Sequence, residues 1–169
     1  MFTAQHCPEA TVRQLYGEAL VLAASSGSSE VVQDLLQGNF EYNLGSLTET
    51  LDAICMKGNK QLLQLFLRFD QKKMFKNENY SRGLNEAVKE NNCQIILYWL
   101  EEHTNHDELV VDPQAVLIAC EKGFVNFLPQ LLERVRPIDS WTEFIGQCLQ
   151  MASKNGAQGC CRILDREGC

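Results

Sequence analysis

Two apolar runs of helical spacing meet at a glycine in the stretch AASSGSSEVVQDLL, residues 23–36. The glycine is Gly27, and glycine tolerates the left-handed backbone that ends many helices. Leu20 and Ala23 precede it by seven and four residues, and apolar residues follow it after four, five, eight and nine. Because these offsets place apolar side chains on one face of each helix, the stretch predicts two antiparallel helices joined at Gly27.

The same frame occurs four more times along the chain. We call the residue at the turn the anchor, and the further anchors are Gly58, Asn91, Gly123 and Gly156, at spacings of 31, 33, 32 and 33 residues. The fifth copy is the weakest, because Asp165 occupies its ninth apolar position. Each helix pair has one apolar face more than it can bury alone, and stacking against a neighbour buries it. The sequence therefore predicts one domain, residues 1–169, built as an all-α solenoid of five helix pairs.

The period and the pattern A-A-x-x-G-x-x-x-V-V-x-x-L-L resemble the ankyrin repeat. The resemblance covers roughly residues 10–165 and identifies the chain as a divergent member. The family's Thr-Pro-Leu-His start and its Gly-Ala-Asp turn are missing, so we expect its β-hairpin fingers to be reduced or absent. A different helical solenoid is the alternative. Divergent arrays of this kind occur in bacterial effectors, viral proteins and the cytosolic domains of channels, and a pathogen protein of this class would act in the host cytosol.

Several polar residues predict where the first helix of each pair begins. Residues 46–49 and 140–143 fit the capping box, in which Ser and Glu satisfy free backbone amides reciprocally. Asp112 precedes a proline at the expected first helical position, and Ser81 is a candidate cap in the third unit. A helix containing Val12, Leu15 and Tyr16 is expected to cap the N-terminal end.

Composition excludes several classes of function. The net charge is −7 and the pI about 5.0, and no basic stripe is present, so we expect no nucleic-acid partner. No apolar run approaches the roughly 18 residues of a membrane helix, and the N-terminus lacks a secretory pattern. Eight cysteines occur without a Cys-x-x-Cys pair, which favours free thiols in the cytoplasm. The frame puts four of them at packing positions: Cys55, Cys120, Cys160 and Cys161.

The resemblance implies that a partner protein binds the concave face, at the two residues before each anchor. Ten residues occupy these positions: Ser25, Ser26, Met56, Lys57, Lys89, Glu90, Glu121, Lys122, Lys154 and Asn155. Trp141 and Phe144 lie at the start of the first helix in the fifth pair, where they either anchor a partner or pack between units four and five. Trp99 occupies a core position of the frame.

We therefore expect a non-catalytic protein-interaction module that holds or blocks another protein, is monomeric alone and needs neither metal nor cofactor. The alternative is a regulatory or effector-type enzyme fragment that uses Cys7 or the histidines His103 and His106. That reading predicts a bound metal or a thiol of unusual reactivity, because a cysteine nucleophile needs a nearby base or an electropositive setting.

Overall fold

The computed structural model describes residues 9–38, 40–69, 75–102, 111–135 and 138–167, and these ranges are all-helical. The first helices of the five pairs are α1 Glu9–Ser26, α3 Leu44–Lys57, α5 Asn77–Lys89, α7 Pro113–Lys122 and α9 Trp141–Lys154. The second helices are α2 Ser29–Gln37, α4 Lys60–Phe69, α6 Cys93–Leu97, α8 Leu128–Arg134 and α10 Gln158–Glu167. A π-helical turn, Tyr98–Glu102, continues α6. Within the described ranges the extended pairing is one parallel bridge between Val111 and Val135.

All five anchors adopt the left-handed backbone that the frame predicts. Their φ angles are +76° at Gly27, +73° at Gly58, +56° at Asn91, +76° at Gly123 and +71° at Gly156. In four turns the backbone amide of the residue after the anchor donates to the backbone carbonyl of the residue four positions before the anchor. These bonds run from Ser28 to Ala23, Asn92 to Ala87, Phe124 to Ala119 and Ala157 to Ala152, at 2.8–3.0 Å. This bond is the long-range bond of the Schellman motif, so one turn chemistry ends at least four of the five first helices.

The helices contact one another in chain order. Each first helix packs on the next first helix, from α1 through α3, α5 and α7 to α9. Among the second helices, α2 packs on α4, α4 on α6 and α8 on α10, and each second helix also contacts the first helix of its own pair. The core thus lies between two layers of helices and continues from one pair to the next.

Burial follows the predicted frame closely. The residue seven before the anchor is fully buried in four units, and the residue four before it is buried in all five. After the anchor, the apolar positions are buried or half-buried with two exceptions, Val31 and Asp165. Val31 is 50% exposed on α2, and Asp165 is exposed on α10, so both departures lie in the terminal pairs.

The predicted caps of α3 and α5 are wrong. Helix α3 begins before Ser46, because Asn43 caps it by accepting from the Ser46 amide at 2.7 Å. Ser81 lies inside α5 and is buried, while the side chain of Asn79 accepts from the Lys76 amide at 2.9 Å. In both cases an asparagine close to the true start of the helix accepts from a free backbone amide of the first turn, and the helix begins before the predicted serine.

The predicted start of α7 is confirmed. Asp112 accepts from the Gln114 amide at 2.8 Å, and a proline follows it at the first helical position. Ser140 does occupy the cap position of α9, but its side chain makes no capping hydrogen bond.

The N-terminal end differs from the prediction of a capping helix. A single 18-residue helix, α1, runs directly into the turn at Gly27 and is therefore the first helix of the first pair. Leu15 is 56% exposed on it, whereas the outer face of a terminal cap is expected to be polar.

Candidate functional site

The ten residues at the two positions before each anchor form the candidate site, which we call the turn row. All ten are exposed. They are the last residues of α1, α3, α5, α7 and α9, together with Glu90 and Asn155, which follow α5 and α9 directly. Because each of these helices packs on the next, their C-terminal ends lie side by side.

Hydrogen bonds between neighbouring turns hold the middle of the turn row in place. Asn92 donates from Nδ2 to the carbonyls of Cys55 and Met56, both at 2.7 Å, and so links the third turn to the second. The Lys122 ammonium donates to the Lys89 carbonyl at 2.6 Å and links the fourth turn to the third. These carbonyls lie near helix C-termini, where donors and positive charge are stabilising.

Asn59 makes the corresponding link at the N-terminal side. Its Nδ2 donates to the hydroxyl of Ser29 at 3.2 Å, and its Oδ1 accepts from the Leu62 amide at 3.0 Å. Asn59 and Asn92 both directly follow an anchor, and sequence reasoning missed them. The asparagine repeated at that position was the available signal.

The turn row carries four lysines and two glutamates, a formal charge of +2 on a chain whose net charge is −7. The lysines recur once per unit from the second to the fifth unit. Lys89 is paired with Glu86 at 2.6 Å. The first turn is uncharged: Ser26 donates to the Ala23 carbonyl at 2.9 Å and lies 2.9 Å from the Ser28 hydroxyl. The net positive charge of the turn row therefore comes from Lys57 in the second turn and Lys154 in the fifth, because Glu90 and Glu121 offset Lys89 and Lys122.

The two aromatic residues predicted as site residues do not belong to the turn row. Phe144 is 6% exposed and lies in the core, so packing, the alternative reading from the sequence, is the correct one for it. Trp141 is half-buried against the core, with its ring centroid 5.8 Å from that of Phe144. Both residues can be covered at the start of α9 because this helix packs on α7 and also on α10.

An ion pair between a buried aspartate and an exposed arginine lies one turn before Met56. Asp52 on α3 is 7% exposed, and its Oδ2 contacts the Arg82 guanidinium of α5 at 2.5 Å. Its Oδ1 is buried and has no hydrogen-bond partner among the described residues. Burial raises the pKa of Asp52 above 3.8, although the charge and hydrogen bond of Arg82 act in the opposite direction.

The raised pKa of Asp52 predicts how the stability of the Asp52→Asn variant changes with pH relative to wild type. The native protein holds the Asp52 proton more tightly than the unfolded chain does, so this group's contribution to stability falls as the pH rises from 3.8 through the native pKa. Asparagine has the same shape and does not ionise. We therefore expect the free energy of unfolding of the variant, relative to wild type, to improve between about pH 3.5 and pH 7 in urea titrations.

Asp34→Asn is the matched control for this prediction, because Asp34 is exposed on α2. The pH-dependent improvement of Asp52→Asn should exceed any change seen in this control. An Asp52→Asn variant whose relative stability falls as the pH rises would mean that the ion pair with Arg82 outweighs the cost of burial.

The cysteines assigned to packing positions lie in or against the core. Cys55, Cys120 and Cys160 are fully buried, and Cys161 is half-buried. Burial raises the pKa of the Cys55 thiol to about 12 and that of Cys160 to about 11. A hydrogen bond shared with Cys148, together with burial, raises the pKa of Cys120. The thiols of Cys55, Cys120 and Cys160 are therefore protonated at neutral pH, as expected for small core residues.

The residues of the enzymatic alternative, Cys7, His103 and His106, lie outside the described residues. Within residues 9–167, where described, no three His, Cys, Asp or Glu side chains are placed to hold a metal ion together. None of the helices in the same ranges combines the length and apolar character needed to cross a membrane.

Neither a scan against protein-family models nor a search of curated protein sequences matched this chain. The class that the structure itself defines is an all-α protein whose helices alternate between two layers.

Proposed function

We propose that this chain is a divergent ankyrin-like solenoid that binds another protein through the turn row and holds or blocks it without catalysis. The observation that carries the proposal is the turn row itself: ten exposed residues at equivalent positions on five helices that pack in succession. The common backbone of the five turns and the period of 31–33 residues support the ankyrin-like assignment.

The proposal assigns different tasks to the two sides of each first helix. Buried apolar residues fix the helices, while the turn residues remain available for a partner and are free to vary in type. A rigid scaffold that presents variable side chains loses little conformational entropy on binding. A cytoplasmic site of action is part of the proposal and agrees with the free cysteines in the described part of the core.

Charge reversal of the turn row tests the proposal. The variant combines Lys57→Glu and Lys154→Glu, because Lys89 and Lys122 also make contacts within the protein. Two exposed charges at a protein interface each contribute about 1 kcal/mol, so we expect binding to weaken at least roughly tenfold with the fold unchanged. Partners are first recovered by affinity purification and mass spectrometry from the native cell, and affinity is then measured with the purified partner.

The matched control combines Arg68→Glu and Arg162→Glu. It changes the net charge equally but on the exposed surface of the second helices α4 and α10. Binding that survives in the control and is lost in the turn-row variant supports the proposal. Equal loss in both variants, or unchanged affinity in the turn-row variant, rejects the turn row as the binding surface.

A further inference from the structure

Helix α1 is apolar on two sides. One side holds Gly17, Leu20 and Ala24, which are buried, and a Cβ on Gly17 would collide with the side chain of Ser46 on α3. The other side carries four apolar residues at spacings of three, four and three, which we call the α1 stripe: Val12, Leu15, Ala19 and Leu22. Leu15 is 56% exposed and Leu22 is 69% exposed.

The α1 stripe lies on the side of the helix that faces away from α3. At about 100° per residue, all four of its members lie within about 40° of the point opposite Gly17. In the repeat frame, Ala19 is eight residues before the anchor. The residues at that position in the later units, Thr50, Gly83, Ala115 and Cys148, are all buried, because a preceding first helix covers them. The α1 stripe therefore corresponds to the surface by which each of the four later first helices packs on the first helix before it.

The other end of the array does not offer a matching surface. Among the described residues of the last pair, the exposed side chains are polar: Thr142, Glu143, Gln147, Gln150, Ser153, Lys154, Asn155, Gln158, Arg162, Asp165 and Arg166. Head-to-tail stacking would bury the leucines of one copy against these polar groups and remove water from them, which is unfavourable. Such stacking would also be open-ended.

We infer that the α1 stripe is a dimer interface, on which the α1 helix of a second copy packs antiparallel. A two-fold axis near the middle of the stripe places Leu15 opposite Ala19 and Val12 opposite Leu22. In both residue contacts a large side chain then faces a smaller one. The spacing of three and four residues suits two helices that cross with a left-handed supercoil. The same surface serves both copies, so the assembly stops at two.

The area available makes this a weak dimer. Helix α1 has 18 residues, which corresponds to a length of about 27 Å and a diameter of about 10 Å. One helix pair of this length buries less than the roughly 800 Å² per partner of a standard interface. The dimer should therefore be reversible and concentration-dependent, and this replaces the monomer expected from the sequence.

Sedimentation velocity over a concentration series of the full chain tests the dimer. Wild type should move from 19.1 kDa toward twice that mass between about 5 μM and 1 mM, as expected for a small interface. The variant Leu15→Glu/Leu22→Glu should stay at the monomer mass, because it places four carboxylates in the shared contact. Leu97→Glu, at a residue 37% exposed on α6, is the control and should dimerise like wild type.

Three results would overturn the inference. They are a wild type that remains monomeric throughout the series, assemblies that grow beyond two copies, and equal dimerisation of the Leu15→Glu/Leu22→Glu variant. Circular dichroism spectra that match wild type show that the double variant is folded.

The antiparallel register has its own test. A mixture of one chain with Leu15→Cys and another with Ala19→Cys is oxidised with copper phenanthroline, and disulfide-linked peptides are identified by mass spectrometry. The inference predicts a 15-to-19 disulfide between chains. A dominant 15-to-15 disulfide would indicate a parallel contact and contradict the arrangement.

Discussion

Replacing Trp99 with alanine is expected to destabilise the protein by about 3–5 kcal/mol, the usual cost of removing a buried tryptophan. Trp99 is 1% exposed at the centre of the array, where its ring lies 5.4 Å from that of Tyr80 and 6.0 Å from that of Tyr98. Its side chain also interacts with the buried Cys55 thiol of the second unit. Its removal therefore weakens both the third pair and its contact with the second.

The chain offers a built-in readout for this variant. The sequence contains two tryptophans, so in Trp99→Ala the only fluorescent tryptophan is Trp141, at the start of α9 in the fifth unit. If the units unfold together, Trp141 fluorescence and helical circular dichroism will give the same midpoint in urea, shifted below that of wild type. Separate midpoints would show that the defect uncouples the fifth unit from the third, as nearest-neighbour coupling permits.

Leu97→Ala is the control, because Leu97 is two residues away and 37% exposed. A surface substitution of this kind should change stability by no more than about 0.5 kcal/mol. A loss below about 1 kcal/mol in Trp99→Ala would contradict the packing described here.

The repeat frame was predictable from sequence because it depends on local chemistry. Gly27 ends a helix with or without a neighbour, since only glycine and a few polar residues tolerate positive φ. The apolar spacing fixes which face of each helix is buried. The same reasoning failed for Ser46 and Ser81, because a capping motif competes with any other cap a few residues away, and Asn43 and Asn79 satisfied the backbone instead.

Contacts between units were not predictable from one sequence. Asn92 and the Met56 carbonyl are 36 residues apart, and only the packing of the third turn on the second brings them together. The ion pair of Asp52 with Arg82 has the same origin. For the turn row, exposure could be predicted, because the frame leaves those positions outside the core. For Phe144 the sequence left a partner contact and packing as alternatives, because its burial depends on how α9 packs on its neighbours.

Alanine at Gly58 is expected to destabilise the protein by about 3 kcal/mol, from two separate effects. The first is the backbone, because φ is +73° and a left-handed conformation costs an L-residue roughly 1–2 kcal/mol. The second is a collision, because a Cβ at Gly58 would lie 2.7 Å from Oδ1 of Asn92. Asn92 cannot move away without losing its hydrogen bonds to the Cys55 and Met56 carbonyls.

Gly27→Ala and Gly156→Ala isolate the first effect, because their φ angles are similar and a Cβ at either site would meet no atom within 4 Å. In urea titrations we expect each to cost about 1–2 kcal/mol, clearly less than Gly58→Ala. The second effect is isolated by combining Gly58→Ala with Asn92→Ala, since the smaller side chain removes the collision. That pair should be less destabilising than the sum of its two single variants, as expected for residues in contact. Additive losses, or equal losses at all three glycines, would mean that Asn92 does not hold the second turn against the third.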